Sequence, residues 1–306
     1  MDTKQIEYIL KIAEENNITK AAEKLFITQS ALNQQLLKLE KELGTPLFHR
    51  SRTNWRLTEA GEIYIEGAKA ALQIKNTTYN RIYDVVSARK GHLTIGLTPG
   101  RGLRMFTAIY PELHRSFPNL DVRPIEMRVR AQQDAIAKGE IDVGLMTLAR
   151  RDQTSDTYYP LKKEELVLII PTGHPLAEKA APYGEPLATL DLTELRYEPF
   201  VLMDKTSTLR SSCDLLFEKA GFAPNILFET NNTSGIAAMV QSTLCCGIIP
   251  RYYTLGLTEG VACFSLPERP SWEIVISCQK NAYLNSGARE FIRLAREYWE
   301  NSAPLF

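Results

Sequence analysis

Between positions 28 and 38 the chain sets hydroxyl, amide and amine side chains at the spacing of one helix face: Thr28, Gln29, Ser30, Asn33, Gln34 and Lys38. A carboxamide offers a donor and an acceptor side by side, which matches an adenine edge in the major groove, while hydroxyl and ammonium groups reach phosphate. The opposite stripe, Leu32, Leu36, Leu39 and Leu43, predicts a helix from a Thr28 cap to a stop at Gly44 and Pro46. Ahead of it, Ile6, Ile9, Leu10 and Ala13 predict a first helix broken at Asn16-Asn17, and Thr19 is the expected cap of a second over residues 20–25. Two helices joined by a three-residue turn make a helix-turn-helix. Taken alone, the polar face also suits any solvated helix. The next segment changes the balance: residues 45–56 hold His49, Arg50, Arg52 and Arg56 and no acid, in a frame suited to a short hairpin. Such a cationic wing beside the reading helix supplies the localised charge that phosphate contacts require.

The charge has to be local, because the 306-residue chain balances 36 basic against 36 acidic side chains. Its length and 44% hydrophobic content suit two or more domains with a sizeable core. No apolar run reaches the roughly 18 residues of a membrane span, and no signal segment opens the sequence, so a cytoplasmic location and no membrane partner are expected. Cys213, Cys245, Cys246, Cys263 and Cys278 are odd in number and lack C-x-x-C spacing, which points to reduced thiols rather than disulfides or zinc.

Residues 58–90 lack proline and predict one long helix. Its seam, Ile65, Ala68, Leu72, Lys75, Tyr79, Ile82 and Val86, runs in steps of three and four, which fits a partner helix or the chain's own core. Beyond Gly91 strands and helices alternate, the sign of an α/β domain with largely parallel sheets. Strands are expected at 92–97, 122–126, 141–146, 165–171, 199–203, 226–230, 247–250 and 272–278, with helices at 103–117, 131–138, 208–221, 234–242 and 286–299. Ligands in such sheets gather at the carboxyl ends of strands, beside helix N-termini. Two such ends carry Thr98, Gly100 and Arg101, and Thr206, Ser207 and Thr208; Thr147 and Asn231 follow two further strands. Hydroxyls and a cation facing each other suit a small carboxylate, although Thr and Ser also serve ordinary turns and caps, and Arg101 could pair with a surface acid.

Catalysis is not expected. No nucleophile elbow, zinc-binding H-E-x-x-H, phosphate loop or dinucleotide fingerprint occurs, and the S-x-x-K at residues 87–90 lacks companion motifs. Two other rivals are a solute-binding protein, which the DNA-reading head opposes, and a thiol-based redox sensor, which the core-like setting of Cys213 opposes.

The runs Thr19-Lys20-Ala21-Ala22-Glu23-Lys24-Leu25, Thr28-Gln29-Ser30-Ala31-Leu32, residues 39–50 (LEKELGTPLFHR) and Leu57-Thr58-Glu59-Ala60-Gly61 resemble the LysR-type transcriptional regulators. Looser matches follow at residues 139–145, 174–177 and 247–250. The resemblance implies a winged helix-turn-helix over 1–58, a dimerising linker helix over 59–90 and a two-lobed α/β effector domain like the periplasmic solute-binding proteins over 91–306. Lobe 1 would take about 91–161 and 267–306, and lobe 2 about 162–266. It implies DNA contact at Gln29, Ser30 and Asn33, Arg50 anchoring the wing near phosphate, and pairing through Ile65, Leu72, Tyr79 and Ile82. Relatives more often have Pro at 30, Ser at 33 and a base at 34 or 37, so the base preference is this chain's own. The implied partners are double-stranded DNA, a small anionic effector, further copies as homodimer or homotetramer, and RNA polymerase; no cofactor and no metal are implied.

Overall fold

The computed structural model describes residues 2–51, 55–86, 89–182, 184–257 and 259–302. By compactness the chain divides into two units, residues 1–91 with 138–140, and residues 92–137 with 141–306.

The first unit is the head. Helices α1 (Thr3–Glu15), α2 (Ile18–Lys24) and α3 (Gln29–Leu43) bury Ile6, Ile9, Ile12, Ala21, Ala22, Leu32, Leu36 and Leu39 against one another. Thr28 caps α3 as expected, its hydroxyl accepting from the Ala31 N–H. The cap of α2 is Asn17 instead of Thr19: its carboxamide oxygen accepts from the N–H groups of Thr19 and Lys20, so the residue read as a breaker starts the helix. Leu43 is exposed, because the stripe drifts off the core before the Gly44 stop. Strands β1 (Phe48–His49) and β2 (Arg56–Leu57) pair antiparallel as the base of the wing.

Helix α4 (Glu59–Val85) starts behind a Thr58 cap and stops five residues short of the expected end. Its first turns complete the head: Tyr64, Ile65 and Ala68 are buried in the same core, and Gly61 passes so close that a Cβ there would lie 2.1 Å from the Leu47 carbonyl oxygen. Ile65 is therefore a core residue and not part of an outward seam. Leu72 is partly buried against that core, whereas Tyr79, Ile82, Val85 and Val86 are exposed.

In the second unit the strands are β3 (Lys90–Leu97), β4 (Asn119–Glu126), β5 (Val143–Leu148), β6 (Thr157–Pro171), β7 (Pro199–Met203), β8 (Asn225–Thr230), β9 (Gly247–Pro250), β10 (Val261–Ser265) and β11 (Ser271–Cys278). The helices are α5 (Arg101–Ser116), α6 (Val129–Ala137), α7 (Thr208–Lys219), α8 (Thr233–Gln241) and α9 (Ser286–Glu300). One sheet runs β10-β6-β11-β5-β3-β4, with β9 also on β6, and β7 pairs with β8. The sheets are mixed, not largely parallel: β3/β5 and β7/β8 are parallel, but β6 is antiparallel to β9, β10 and β11.

The reason lies in β6, a 15-residue strand shared by both lobes. Its first half pairs with β11, and its second half with β10 and β9. Leu166, Leu168 and Ile170 face α7 while Val167 and Ile169 face α8, the alternation of a strand covered on both faces. In lobe 1, α5 and α9 cover one face of β3, β5 and β11, and α6 the other. The hydrophobic pattern marks only the apolar end of β6, because Lys162-Lys163-Glu164-Glu165 interrupts it. Glu164 and Glu165 are nonetheless completely buried. Strand β10 has no counterpart among the expected strands.

Candidate functional site

The reading face of α3 presents Gln29, Ser30, Gln34 and Lys38 to solvent, with Asn33 half-buried and Leu37 exposed among them. The Ser30 hydroxyl lies 3.2 Å from that of Thr28, so the cap also holds the second position of the face. Arg56 is exposed on β2; Arg52 lies outside the described residues. Arg50 is more occupied than a plain phosphate anchor would be. Its guanidinium pairs with Glu40, a buried residue of α3 that also accepts the Leu47 N–H at 2.8 Å, and lies 5.5 Å over the Trp55 ring. Glu40 thereby ties the wing to the reading helix. Its acidic position in a helix of ordinary charge pattern gave no sign of this.

In the second unit, Thr98, Gly100, Arg101, Thr147, Thr206, Ser207, Thr208 and Asn231 all line one cavity of about 800 Å³ between the lobes. The starts of four helices, α5, α6, α7 and α8, meet there. Gly100 precedes α5 with φ at +72°, where a side chain would be strained, and provides no side-chain cap. Ser207 caps α7 by accepting from the Leu209 N–H, and Asn232 caps α8 by accepting from the Ser234 N–H. Aligned helix starts give positive potential. Val129, Met203, Leu209, Ala237 and Trp272 add apolar wall.

The structure corrects the role expected of Arg101. Its side chain is only 6% exposed, and Nη1 donates to Glu164 at 2.5 Å while Nη2 donates to the Thr147 hydroxyl at 2.7 Å. Glu164 also accepts from the Trp272 indole at 2.7 Å and the Tyr252 N–H at 3.0 Å. The rings of Tyr252, Tyr253, Trp272 and Trp299 lie within 5.9 Å of the Arg101 guanidinium. The cation is thus neutralised inside the protein, by an acid that is buried and not on the surface. Thr208 is similarly committed: its hydroxyl donates to the Thr147 carbonyl at 3.0 Å, joining the lobes.

Two cations of the cavity escape the sequence reading. Arg104 lies on α5, with Nη1 3.3 Å from the Tyr252 hydroxyl. Arg128, just after β4, donates from Nη1 to Asp204 at 2.9 Å and to the Thr206 hydroxyl. Burial by itself would raise the Asp204 carboxyl, but hydrogen bonds from the Thr206 hydroxyl and N–H and from Arg128 hold it below the usual carboxylate range. Arg128 was legible in principle, since it stands at the carboxyl end of a strand like the residues that were named.

The thiols all sit in this unit. Burial pushes Cys213 and Cys246 up to about 12 and Cys263 up to about 11, and raises Cys245 and Cys278 as well. The attacking form of cysteine is the thiolate, so these environments disfavour reaction. Among the described residues no metal-binding cluster occurs, and no helix is long and apolar enough to cross a membrane.

Two family signatures cover the chain: the bacterial regulatory helix-turn-helix protein, lysR family, over residues 3–62, and the LysR substrate binding domain over residues 87–300. The HTH-type transcriptional regulator YcgK of Bacillus subtilis, itself uncharacterized, is 30% identical over 97% of this chain and 94% of its own. Among solved structures, a full-length OxyR variant from Pseudomonas aeruginosa is 21% identical with a TM-score of 0.68, over 98% of this chain and 95% of that one. Full-length CbnR complexed with its target DNA is 20% identical with a TM-score of 0.65, over 97% of this chain and 100% of that one. At these identities the structures bear on the fold alone.

Proposed function

The chain belongs to the LysR family of DNA-binding transcriptional regulators, and on that premise we propose that a small organic anion, bound between the lobes of its effector domain, modulates its DNA binding. The observation that carries this reading is the cavity itself: four helix starts and a ring of hydroxyls and amides face an apolar wall. Helix starts favour negative charge, and the wall suits the carbon body of a carboxylate such as an aromatic or short aliphatic acid. Arg101 then shapes the floor instead of meeting the ligand's charge.

In the head, Gln29 and Asn33 read base edges, while Thr28, Ser30, Gln34, Lys38 and Arg56 position the helix on phosphate. Arg50 keeps the wing in place through Glu40, its exposed edge still turned to the DNA backbone. The end of α4, through Tyr79 and Ile82 with Leu72 at the margin, pairs two copies. To regulate, the ligand must favour one lobe arrangement over another, with a coupling on the order of 1–3 kcal/mol.

A thermal-shift screen of carboxylic acids on the full chain tests this, since a ligand at a hundred times its dissociation constant adds about 2.7 kcal/mol of stability. Ala238 lines the cavity and is exposed, so Ala238→Trp fills the cleft without disturbing the core. The shift is expected to vanish in that variant with operator binding intact. A panel without any shift, or a shift that survives Ala238→Trp, refutes the cleft as the effector site.

A further inference from the structure

The cavity holds three arginines, and they differ in what already neutralises them. Arg101 is sealed against a completely buried glutamate, an arrangement expensive to open because two charges would lose each other in a dry site. Arg104 faces a phenol. Arg128 alone reaches across the cleft to a carboxylate: it stands at the head of α6 in lobe 1, and Asp204 follows β7 in lobe 2. Both partners remain in contact with water, the Arg128 side chain 47% exposed and that of Asp204 25% exposed. A pair of this kind is held weakly enough to be exchanged.

We infer that Arg128 is the cation that receives the anionic group of the cleft's ligand, and that Asp204 occupies it beforehand as an internal stand-in, so the ligand enters by replacing one carboxylate with another. The inference rests on the cleft being the effector site. The local geometry fits the exchange. Arg128 makes all of these contacts through Nη1, reaching both Asp204 oxygens at 2.9 Å and the Thr206 hydroxyl. Asp204 does not depend on the arginine for its own position, because it accepts from the Thr206 N–H at 3.0 Å and from the Thr206 hydroxyl, closing the turn ahead of α7. It can lose Arg128 and keep its loop. Thr206 sits beside both partners, its hydroxyl hydrogen given to Asp204 and its oxygen accepting from Arg128, so the turn stays closed when the arginine changes carboxylates. The ligand class follows: a carboxylate or comparable oxyanion, for which an uncharged isostere is a poor substitute. The regulatory consequence is that binding severs a contact joining the lobes and replaces it with one through the ligand, so ligand charge and lobe arrangement are linked.

Sodium benzoate serves as the probe and benzamide as its uncharged counterpart, titrated calorimetrically into the full chain, Asp204→Asn, Arg128→Gln and Ala238→Trp. Asparagine keeps the acceptor for Thr206 while removing the competing charge, and Asp204→Ser provides a second variant should the first fail to fold. Asp204→Asn is expected to bind benzoate about fivefold more tightly than the parent chain, the size of an exposed ion pair released from competition. Arg128→Gln is expected to bind benzoate more weakly than the parent chain and to lose most of its preference for benzoate over benzamide. Equal benzoate affinity in the parent and both Asp204 variants, or benzamide binding as well as benzoate, overturns the exchange. So does the absence of benzoate binding in Asp204→Asn and Asp204→Ser, since an uncovered guanidinium in the cleft must at least hold a carboxylate. Benzoate binding that persists in Ala238→Trp marks a different failure, that of the cleft reading itself.

Discussion

Arg50 in the head and Arg101 in the effector unit are built alike. Each guanidinium meets a glutamate that is buried, and each lies against aromatic rings: Trp55 for the first, and Tyr252, Tyr253, Trp272 and Trp299 for the second. They differ in exposure. The Arg50 side chain is 37% exposed and keeps one edge toward solvent, whereas that of Arg101 is 6% exposed and its guanidinium is held by Glu164 and Thr147. A half-exposed cation can hold its own structure together and still meet a phosphate. A sealed cation is spent on the fold, and the cleft must draw its charge from elsewhere, from helix starts and from Arg128.

The strongest way to break this comparison is to remove the acids. Glu164→Gln leaves a buried guanidinium without its counter-charge, a change worth about 3–5 kcal/mol. Urea unfolding of the full chain, followed by the fluorescence of Trp272 and Trp299 beside the site, should show that loss. A cost below about 1 kcal/mol, the scale of an exposed pair, would mean that Arg101 is not sealed. Glu40→Gln is expected to cost less, about 1–3 kcal/mol, because water takes over part of the Arg50 charge. It should weaken specific and nonspecific DNA alike in a fluorescence-anisotropy titration, as a displaced wing would. A changed base preference with unchanged nonspecific affinity would assign Glu40 to readout instead.

Exposure makes the same distinction along α4, where Ile65 and Ile82 share one expected seam but only Ile65 is in the core. Ile82→Glu should leave the unfolding midpoint of the head within about 0.5 kcal/mol of the parent, as surface changes do. Sedimentation should nevertheless show monomer; an intact dimer would move the interface off this face.

The smallest effect is expected at the thiols. Their folded-state pKa values lie above those of the unfolded chain, about 8.5. The proton-linked stability is therefore complete below that pH and declines as pH climbs toward about 12, where Cys213 and Cys246 ionise in the folded protein. At a pH of about 8, iodoacetamide should modify the native chain slowly and the denatured chain at all five cysteines. Hydrogen peroxide should leave operator affinity unchanged. Rapid native labelling, or peroxide-sensitive binding, would restore the redox reading.

Much of the architecture was legible before the structure. The Thr28 cap, the Leu32, Leu36 and Leu39 stripe, the wing, and strands such as β7 and β9 followed from neighbours three or four residues away or from short continuous apolar runs. Eight residues named from strand ends line a single cavity for the same reason: in a sheet with parallel neighbours, strand ends and helix starts share a side. Their chemical state was not legible. Whether Arg101 is a receptor or a strut depends on Glu164, 63 positions away, and what Arg128 holds depends on Asp204, 76 positions away. The strand expected at residues 165–171 left out Lys162, Lys163 and Glu164, because local pattern cannot register partners supplied by other elements. Sequence determines the elements through short-range periodicity; the tertiary structure decides which charges meet, and burial decides which of them a ligand can reach.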